Sequence, residues 1–227
     1  LAENRIEGIS LNYIAIEGVI GVGKTILATK LSEKLGARLV LEEVEENPFL
    51  ANFYQDMRTY ALSTQLFFLL SRHRQQQQIS QPSLFQEKVV TDYSFIKDRI
   101  FAYVNLSEHE LNLYEKIYEF LSKDVLKPDL VVYLQAPVEI LMERIRKRGR
   151  NFEQEMDTEY LKILSDAYNR FFLHYDQTPL LIVDTAKLDF VKNEQDFEEL
   201  LQEILTTTAG RKFYSPKTNP KKKTESS

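Results

Sequence analysis

Short apolar runs alternate with longer stretches of helical spacing along most of this chain. Tyr13-Ile14-Ala15-Ile16-Glu17 is the first run, and Arg38–Leu41, Lys88–Thr91, Leu130–Leu134 and Leu180–Val183 are four more. Between them, residues 24–35 have helical spacing up to Gly36, which is a natural helix stop. Residues 49–78, in one helix or more, and residues 111–126, 138–147, 158–175 and 197–205 read as helices too. Five strands separated by helices predict an α/β fold with a five-stranded parallel sheet flanked by helices on both faces. No internal repeat interrupts this order. One domain is expected over residues 13–206, with a non-periodic lead-in or linker over 1–12 and a basic, disordered tail over 207–227.

Composition narrows the function classes. The chain has 227 residues, 43% hydrophobic and 28% charged, with a formal net charge of −5. Residues 211–227 hold six basic residues and one acid, a net +5, so the remainder carries −10. A body that acidic argues against a general grip on nucleic acid, yet leaves room for a small anionic ligand held by local cations. There is no cysteine, which excludes disulfides, thiolate metal sites and cysteine nucleophiles. The longest apolar run, Leu66–Leu70, falls far short of the ~18 residues of a membrane span. No signal-peptide pattern opens the sequence, and a cytoplasmic protein without membrane partners is expected.

Only 7 glycines occur, and three of them fall in Gly18-Val19-Ile20-Gly21-Val22-Gly23-Lys24-Thr25. This matches G-x-x-x-x-G-K-[ST], with a strand before it and a helix after it. Glycines let backbone N–H groups turn inward around phosphate oxygens, and the helix N-terminus adds its positive dipole end. Lys24 would supply a point charge to the β/γ-phosphates and Thr25 a hydroxyl to Mg²⁺. A glycine turn that merely joins strand to helix is the alternative, and eight matched positions in context weigh against it.

Two further clusters bear on the acceptor. Glu42 and Glu43 stand where the second strand runs out, at the edge where open parallel sheets bind ligands. An acid there can take the proton of an attacking hydroxyl; with Glu45 and Glu46 following, it can equally belong to a solvated acidic loop. Arg144-Ile145-Arg146-Lys147-Arg148-Gly149-Arg150 packs five cations into seven residues of an acidic body. On a helix ended by Gly149 they could clamp transferring phosphate, or form an ordinary solvated face.

These segments resemble the deoxynucleoside kinase family, most closely its bacterial deoxyguanosine/deoxyadenosine kinase branch, from Tyr13 to roughly Leu205. IEGVIGVGKT is similar to the family's phosphate loop, implying that Gly18, Gly21, Val22, Gly23, Lys24 and Thr25 bind ATP and that Ile20 borders the nucleoside. EEVEENPFL resembles its Glu-Pro-Val segment, which implies that Glu42 is the general base and that Glu43 replaces the proline. FYQDMRTYALSTQLFFLLSRHR resembles the helix lining the nucleoside pocket, implying Tyr54 on the sugar 3′-hydroxyl, Gln65 on the base edge and Arg72 near the base. TDYSFIKDRIFA resembles the acid-Arg-Ser segment, with Asp92 as the metal-positioning acid, Asp98 in the base pocket and Phe101 as the stacking ring. RIRKRGRNFEQ resembles the lid, with Arg144, Arg148 and Arg150 on phosphates and Glu153 on the 3′-hydroxyl. PLLIVDT resembles the strand leading to the adenine-binding loop, which brings in Asp184.

Two positions depart from the pattern. Tyr93 stands where the family has an arginine beside the 5′-oxygen, with Arg99 or a lid arginine as the replacements the sequence offers. Phe152 stands where many relatives carry a second acid. The resemblance implies ATP- and Mg²⁺-dependent 5′-phosphorylation of a deoxynucleoside, purines first, by a homodimer inhibited by the end-product triphosphate. The nearest rival is a thymidylate-type monophosphate kinase, which should carry an extra cation near Asp92. A GTPase or ATPase switch should show an Asn-Lys-x-Asp motif, and none is found. A non-catalytic nucleotide-binding domain of a larger protein is the third.

Overall fold

The computed structural model describes residues 11–80, 88–153 and 156–216. Most of the expected lead-in (1–10) and the end of the expected tail (217–227), with its Lys221–Lys223 run, lie outside the described residues.

The phosphate-loop strand occupies the middle of the sheet because it is apolar on both faces. β1 (Tyr13–Gly18) is buried at every position. β3 (Val89–Thr91) pairs with it on one side, with β2 (Arg38–Val40) beyond. On the other side lie β4 (Leu130–Gln135), β5 (Leu180–Asp184) and β6 (Arg211–Tyr214). The order is β2-β3-β1-β4-β5-β6, all parallel. Continuous apolar runs such as Leu130–Leu134, fully buried, are what a strand covered on both faces requires. Because the chain fills one side of β1 and then crosses to the other, the loops leaving β1, β3 and β4 meet at one carboxyl edge.

The sheet therefore has six strands and not five. The sixth comes from the stretch expected to be disordered tail, and the ordered domain runs on past residue 206. β6 was hidden by its polarity: it lies on the sheet's edge, with Arg211 donating to the Tyr175 carbonyl at 2.9 Å and Lys212 paired with Glu203 at 2.6 Å. Basic side chains suit an edge strand because they discourage pairing with another chain.

The helices are α1 (Lys24–Leu35), α2 (Leu50–Gln55), α3 (Met57–Ser80), α4 (Lys97–Asn105), α5 (Glu108–Leu121), α6 (Val138–Arg148), α7 (Thr158–Leu173) and α8 (Glu194–Thr206). The stretch read as helical over 49–78 is two helices. Asp56 leaves helical geometry at φ −142° and accepts from the Thr59 N–H at 3.2 Å, so the chain restarts there with a new cap. α4 has no counterpart in the periodicity, because its first turn buries Lys97 and Asp98 where apolar residues would be expected. α5 begins on a capping box in which Ser107 and Glu110 satisfy each other's ends. No described helix is long and apolar enough to cross a membrane.

Candidate functional site

One pocket at the carboxyl edge of the sheet collects side chains from seven separate segments. Lys24 and Thr25 start α1, Glu42 follows β2, and Tyr54 comes from α2. Gln65 and Arg72 come from α3, and Lys97 and Phe101 from α4. Arg148, Arg150 and Glu153 close the far side. Ile20 and Asp92 line it as well.

The phosphate loop is braced against α6. Gly21 adopts φ +86°, and a Cβ there would lie 2.9 Å from the Leu141 carbonyl oxygen and 2.7 Å from Ile145 Cγ1. The position therefore requires glycine both for its left-handed backbone and for close approach. Arg144 adds a second brace, donating to the Val22 carbonyl at 3.2 Å and to the Thr185 carbonyl and hydroxyl at 2.9 and 3.1 Å. Arg144 thus ties the loop to the end of β5 instead of lining the pocket. Lys24 donates to the Val19 carbonyl at 3.2 Å; burial and the neighbouring Lys97 ammonium lower its pKa to about 8.

Thr25 donates to Asp92 Oδ2 at 2.6 Å, while Asp92 Oδ1 accepts from the Glu42 backbone N–H at 2.8 Å. The hydroxyl and the carboxylate are hard oxygen donors side by side. Among the described residues no cluster of three or more acids, histidines or cysteines could hold a metal. One or two protein oxygens completed by phosphates are the ligand set that Mg²⁺ takes in nucleotide sites, so the pair fits that ion.

Glu42 is held at both oxygens: Arg72 binds Oε1 and Lys97 Nζ lies 2.5 Å from Oε2. Burial opposes its ionisation, but the two cations outweigh burial and hold the carboxyl well below the ordinary range. The second guanidinium nitrogen of Arg72 binds Asp98, which is fully buried. Burial raises Asp98 to about 7 in spite of Arg72. Several hydrogen-bonding atoms here have no protein partner: Asp98 Oδ2, Arg72 Nε and Thr64 Oγ1 are buried and unpaired. Gln65 is only 2% exposed and lines the same wall. Unsatisfied buried polar atoms are rare in native proteins, and here two of the residues that carry them, Thr64 and Arg72, line the pocket with Asp98 behind Arg72.

At the opposite wall Arg148 donates to both oxygens of Glu153 at 2.6 and 2.5 Å, and Arg150 approaches Glu153 at 3.8 Å and Glu45 at 3.6 Å. Phe152, the residue in place of an acid, stacks on Tyr54 with ring centroids 6.1 Å apart. Burial pushes the Tyr54 phenol well above its usual pKa, so it stays a hydroxyl donor. Phe101 packs edge-on against Tyr168 at 6.0 Å.

Most of the sequence-predicted site is thus brought together. Asp98 stands behind Arg72 and outside the lining. Asp184 lies in a separate cavity with Val22, Gln135 and Asn169, and caps its own loop by accepting from the Ala186 N–H at 2.9 Å. Arg99, offered by the sequence as a replacement cation, pairs with Glu115 at 3.0 Å instead. Sequence reasoning missed Lys97 and Glu17. The latter, fully buried, accepts from the Ser94 N–H and hydroxyl at 2.5 and 2.8 Å and so fixes the loop after β3 to β1.

A family model described as deoxynucleoside kinase matches residues 14–209. The deoxyguanosine kinase of Bacillus subtilis (strain 168) is 39% identical over 197 residues, which span 85% of this chain and 95% of that one. The deoxyadenosine kinase of Dictyostelium discoideum is 35% identical over 190 residues, 81% of this chain and 75% of its own. The solved structure of deoxyadenosine kinase from M. mycoides with bound dATP has a TM-score of 0.75 at 29% identity, covering 85% of this chain and 99% of that one. The same enzyme with bound dCTP gives 0.72 at 26% identity, covering 85% and 98%.

Proposed function

The chain belongs to the deoxynucleoside kinase family, and from that premise we propose that it transfers the γ-phosphoryl group of ATP to the 5′-hydroxyl of a purine deoxynucleoside. It is a phosphotransferase acting on deoxynucleosides; the position phosphorylated, the donor and the purine preference are the proposal. The observation that carries it is the layout of one pocket. That pocket is lined both by the start of the phosphate-loop helix, Lys24 and Thr25, and by the hydrogen-bonding side chains Thr64, Gln65 and Arg72, with Glu42 among them.

In this reading the base ring lies along Phe101, with Gln65 offering a donor and an acceptor and the Arg72–Asp98 pair reading the adjoining position. A site with unmet hydrogen bonds rejects the wrong base more strongly than an apolar one of the same shape. Tyr54 and Glu153 hold the 3′-hydroxyl, which brings the 5′-hydroxyl to Glu42. The carboxylate accepts the hydroxyl proton as the oxygen attacks phosphorus. A base with a depressed pKa takes that proton late, which suits a loose phosphoryl-transfer transition state. Lys24, Arg148 and Arg150 stabilise the charge in transit, and Arg144 holds the loop from behind. Asp184 serves the adenine end only through the loop it caps. Thr25 and Asp92 would hold Mg²⁺, which when bound offsets the charge of the β- and γ-phosphate oxygens.

Exposed Leu70 of α3 and Leu113 and Phe120 of α5, at 50%, 49% and 71% exposure, give a homodimer its apolar contact surface, and the protein works in the cytoplasm. The test is Glu42→Gln. Phosphorylation of deoxynucleosides should fall by on the order of 10²- to 10⁴-fold while binding of a fluorescent ATP analogue survives. Undiminished turnover in that variant would remove Glu42 as the base.

A further inference from the structure

We propose that Lys97 is the positioning residue for the phosphoryl-transfer step: its ammonium on Oε2, opposite Arg72 on Oε1, keeps the Glu42 carboxylate aimed at the 5′-hydroxyl. The inference rests on the kinase reading above and goes beyond it by assigning a residue that neither the motif nor the periodicity marks.

Four observations converge on Lys97. First, its Nζ lies 2.5 Å from Glu42 Oε2 inside the pocket, and the residue is 5% exposed. Second, it is the first residue of α4, where the exposed N–H groups of the helix make a cation unfavourable. A buried ammonium in a helix's first turn works against both solvation and dipole, and such violations of local preference gather at functional sites. Third, the neighbouring arginines have other partners. Arg72 divides itself between Glu42 and Asp98, Arg99 pairs with Glu115, and Arg144 is bound to Val22 and Thr185. Fourth, Tyr93 is a fully buried neutral ring, so the residue after Asp92 supplies no charge.

The division of labour at Glu42 follows. When a nucleobase engages Arg72, part of that guanidinium's hydrogen bonding is drawn toward the base. Lys97 has no second acid bonded to it among the described residues, so its hold on Oε2 does not depend on the substrate. Each Glu42 oxygen keeps a free lone pair while bound to one cation. In the step itself the O5′–H bond breaks, and its proton passes to Glu42. The O5′–Pγ bond forms, and the bond from Pγ to the bridging oxygen of ATP breaks with its electron pair leaving on ADP. Lys97 remains an ammonium throughout.

The test compares Lys97→Met with Lys97→Arg by steady-state kinetics and thermal melting, using the full-length protein, a purine deoxynucleoside and ATP with Mg²⁺. Lys97→Met should lose on the order of 100-fold in kcat with KM for the deoxynucleoside changed less than about threefold. Lys97→Arg should keep kcat within about tenfold, and in Lys97→Ala, whose truncated side chain leaves room, added ethylammonium should restore part of the lost rate in proportion to its concentration. A folded Lys97→Arg variant as inactive as Lys97→Met, or a loss confined to KM, would overturn the assignment. Should Lys97→Met fail to melt cooperatively, the Lys97→Arg result decides alone. An inactive wild type under the same conditions would instead remove the kinase reading, so the two failures are distinguishable.

Discussion

Replacing Gly21 by alanine should cost both stability and rate, because the loop and α6 share no spare room at that point. The backbone there is left-handed at φ +86°, which a residue with a Cβ adopts at a cost of on the order of 1–2 kcal/mol. The new Cβ would stand 2.9 Å from the Leu141 carbonyl oxygen and 2.7 Å from Ile145 Cγ1. Ile145 can turn aside in part, but the carbonyl is backbone and α6 must move, adding about 1–3 kcal/mol. The total of roughly 2–5 kcal/mol should lower Tm by on the order of 5–15 °C in a domain this size. Gly36→Ala is the control: it too is left-handed, at φ +58°, but a Cβ there meets nothing within 4 Å. Only the backbone cost remains, about 1 kcal/mol and a few degrees. The variants should separate further in rate, because α6 carries Arg144 and Arg148. A displacement near 1 Å costs about 100-fold when positioning matters, whereas Gly36→Ala should leave kcat within about twofold. Thermal melting and deoxynucleoside kinase assays on both variants settle it. Equal melting losses with kcat preserved in Gly21→Ala would show that loop and lid helix are not coupled through this contact.

Two further outcomes follow from the same geometry. Burial raises Asp98 to about 7, so below that pH it can donate a hydrogen bond and above it only accept. Asp98 stands behind Arg72, so it acts on the base through that guanidinium; kcat/KM for a purine deoxynucleoside should rise between pH 6 and 8 as Asp98 ionises and fixes Arg72. Asp98→Asn should flatten that rise, and a wild-type kcat/KM that ignores pH would show that Asp98 does not act through Arg72. Glu153→Gln should raise KM for a deoxynucleoside by about tenfold and erase the preference over its 3′-deoxy analogue. An intact preference would remove Glu153 from the sugar site.

What the sequence could reveal depended on whether the signal was local. The phosphate loop is contiguous, so its glycines, Lys24 and Thr25 were legible with the strand and helix that hold them. The lid arginines were visible as a charge cluster, but not that Arg144 turns back to Val22 and Thr185 while Arg148 faces Glu153. α4 was illegible because Lys97 and Asp98 are buried for the site's sake, which mimics a polar surface in the hydrophobic pattern. β6 failed for the reverse reason: an edge strand may be as polar as a tail, and only its pairing with Leu180–Val183 distinguishes the two. The link between Lys97 and Glu42 spans 55 residues and has no motif. One clue was present, a lysine between the Asp92 segment and Asp98 in a stretch otherwise matching the pocket.

The central claim is that the acceptor is a nucleoside hydroxyl. Purified protein with ATP and Mg²⁺, offered a panel of deoxynucleosides and their monophosphates, tests it most directly, with products resolved by chromatography and ³¹P NMR. Deoxyguanosine or deoxyadenosine should be turned over fastest, to the 5′-monophosphate. Phosphorylation of monophosphates alone, or ATP hydrolysis with every nucleoside untouched, would contradict it.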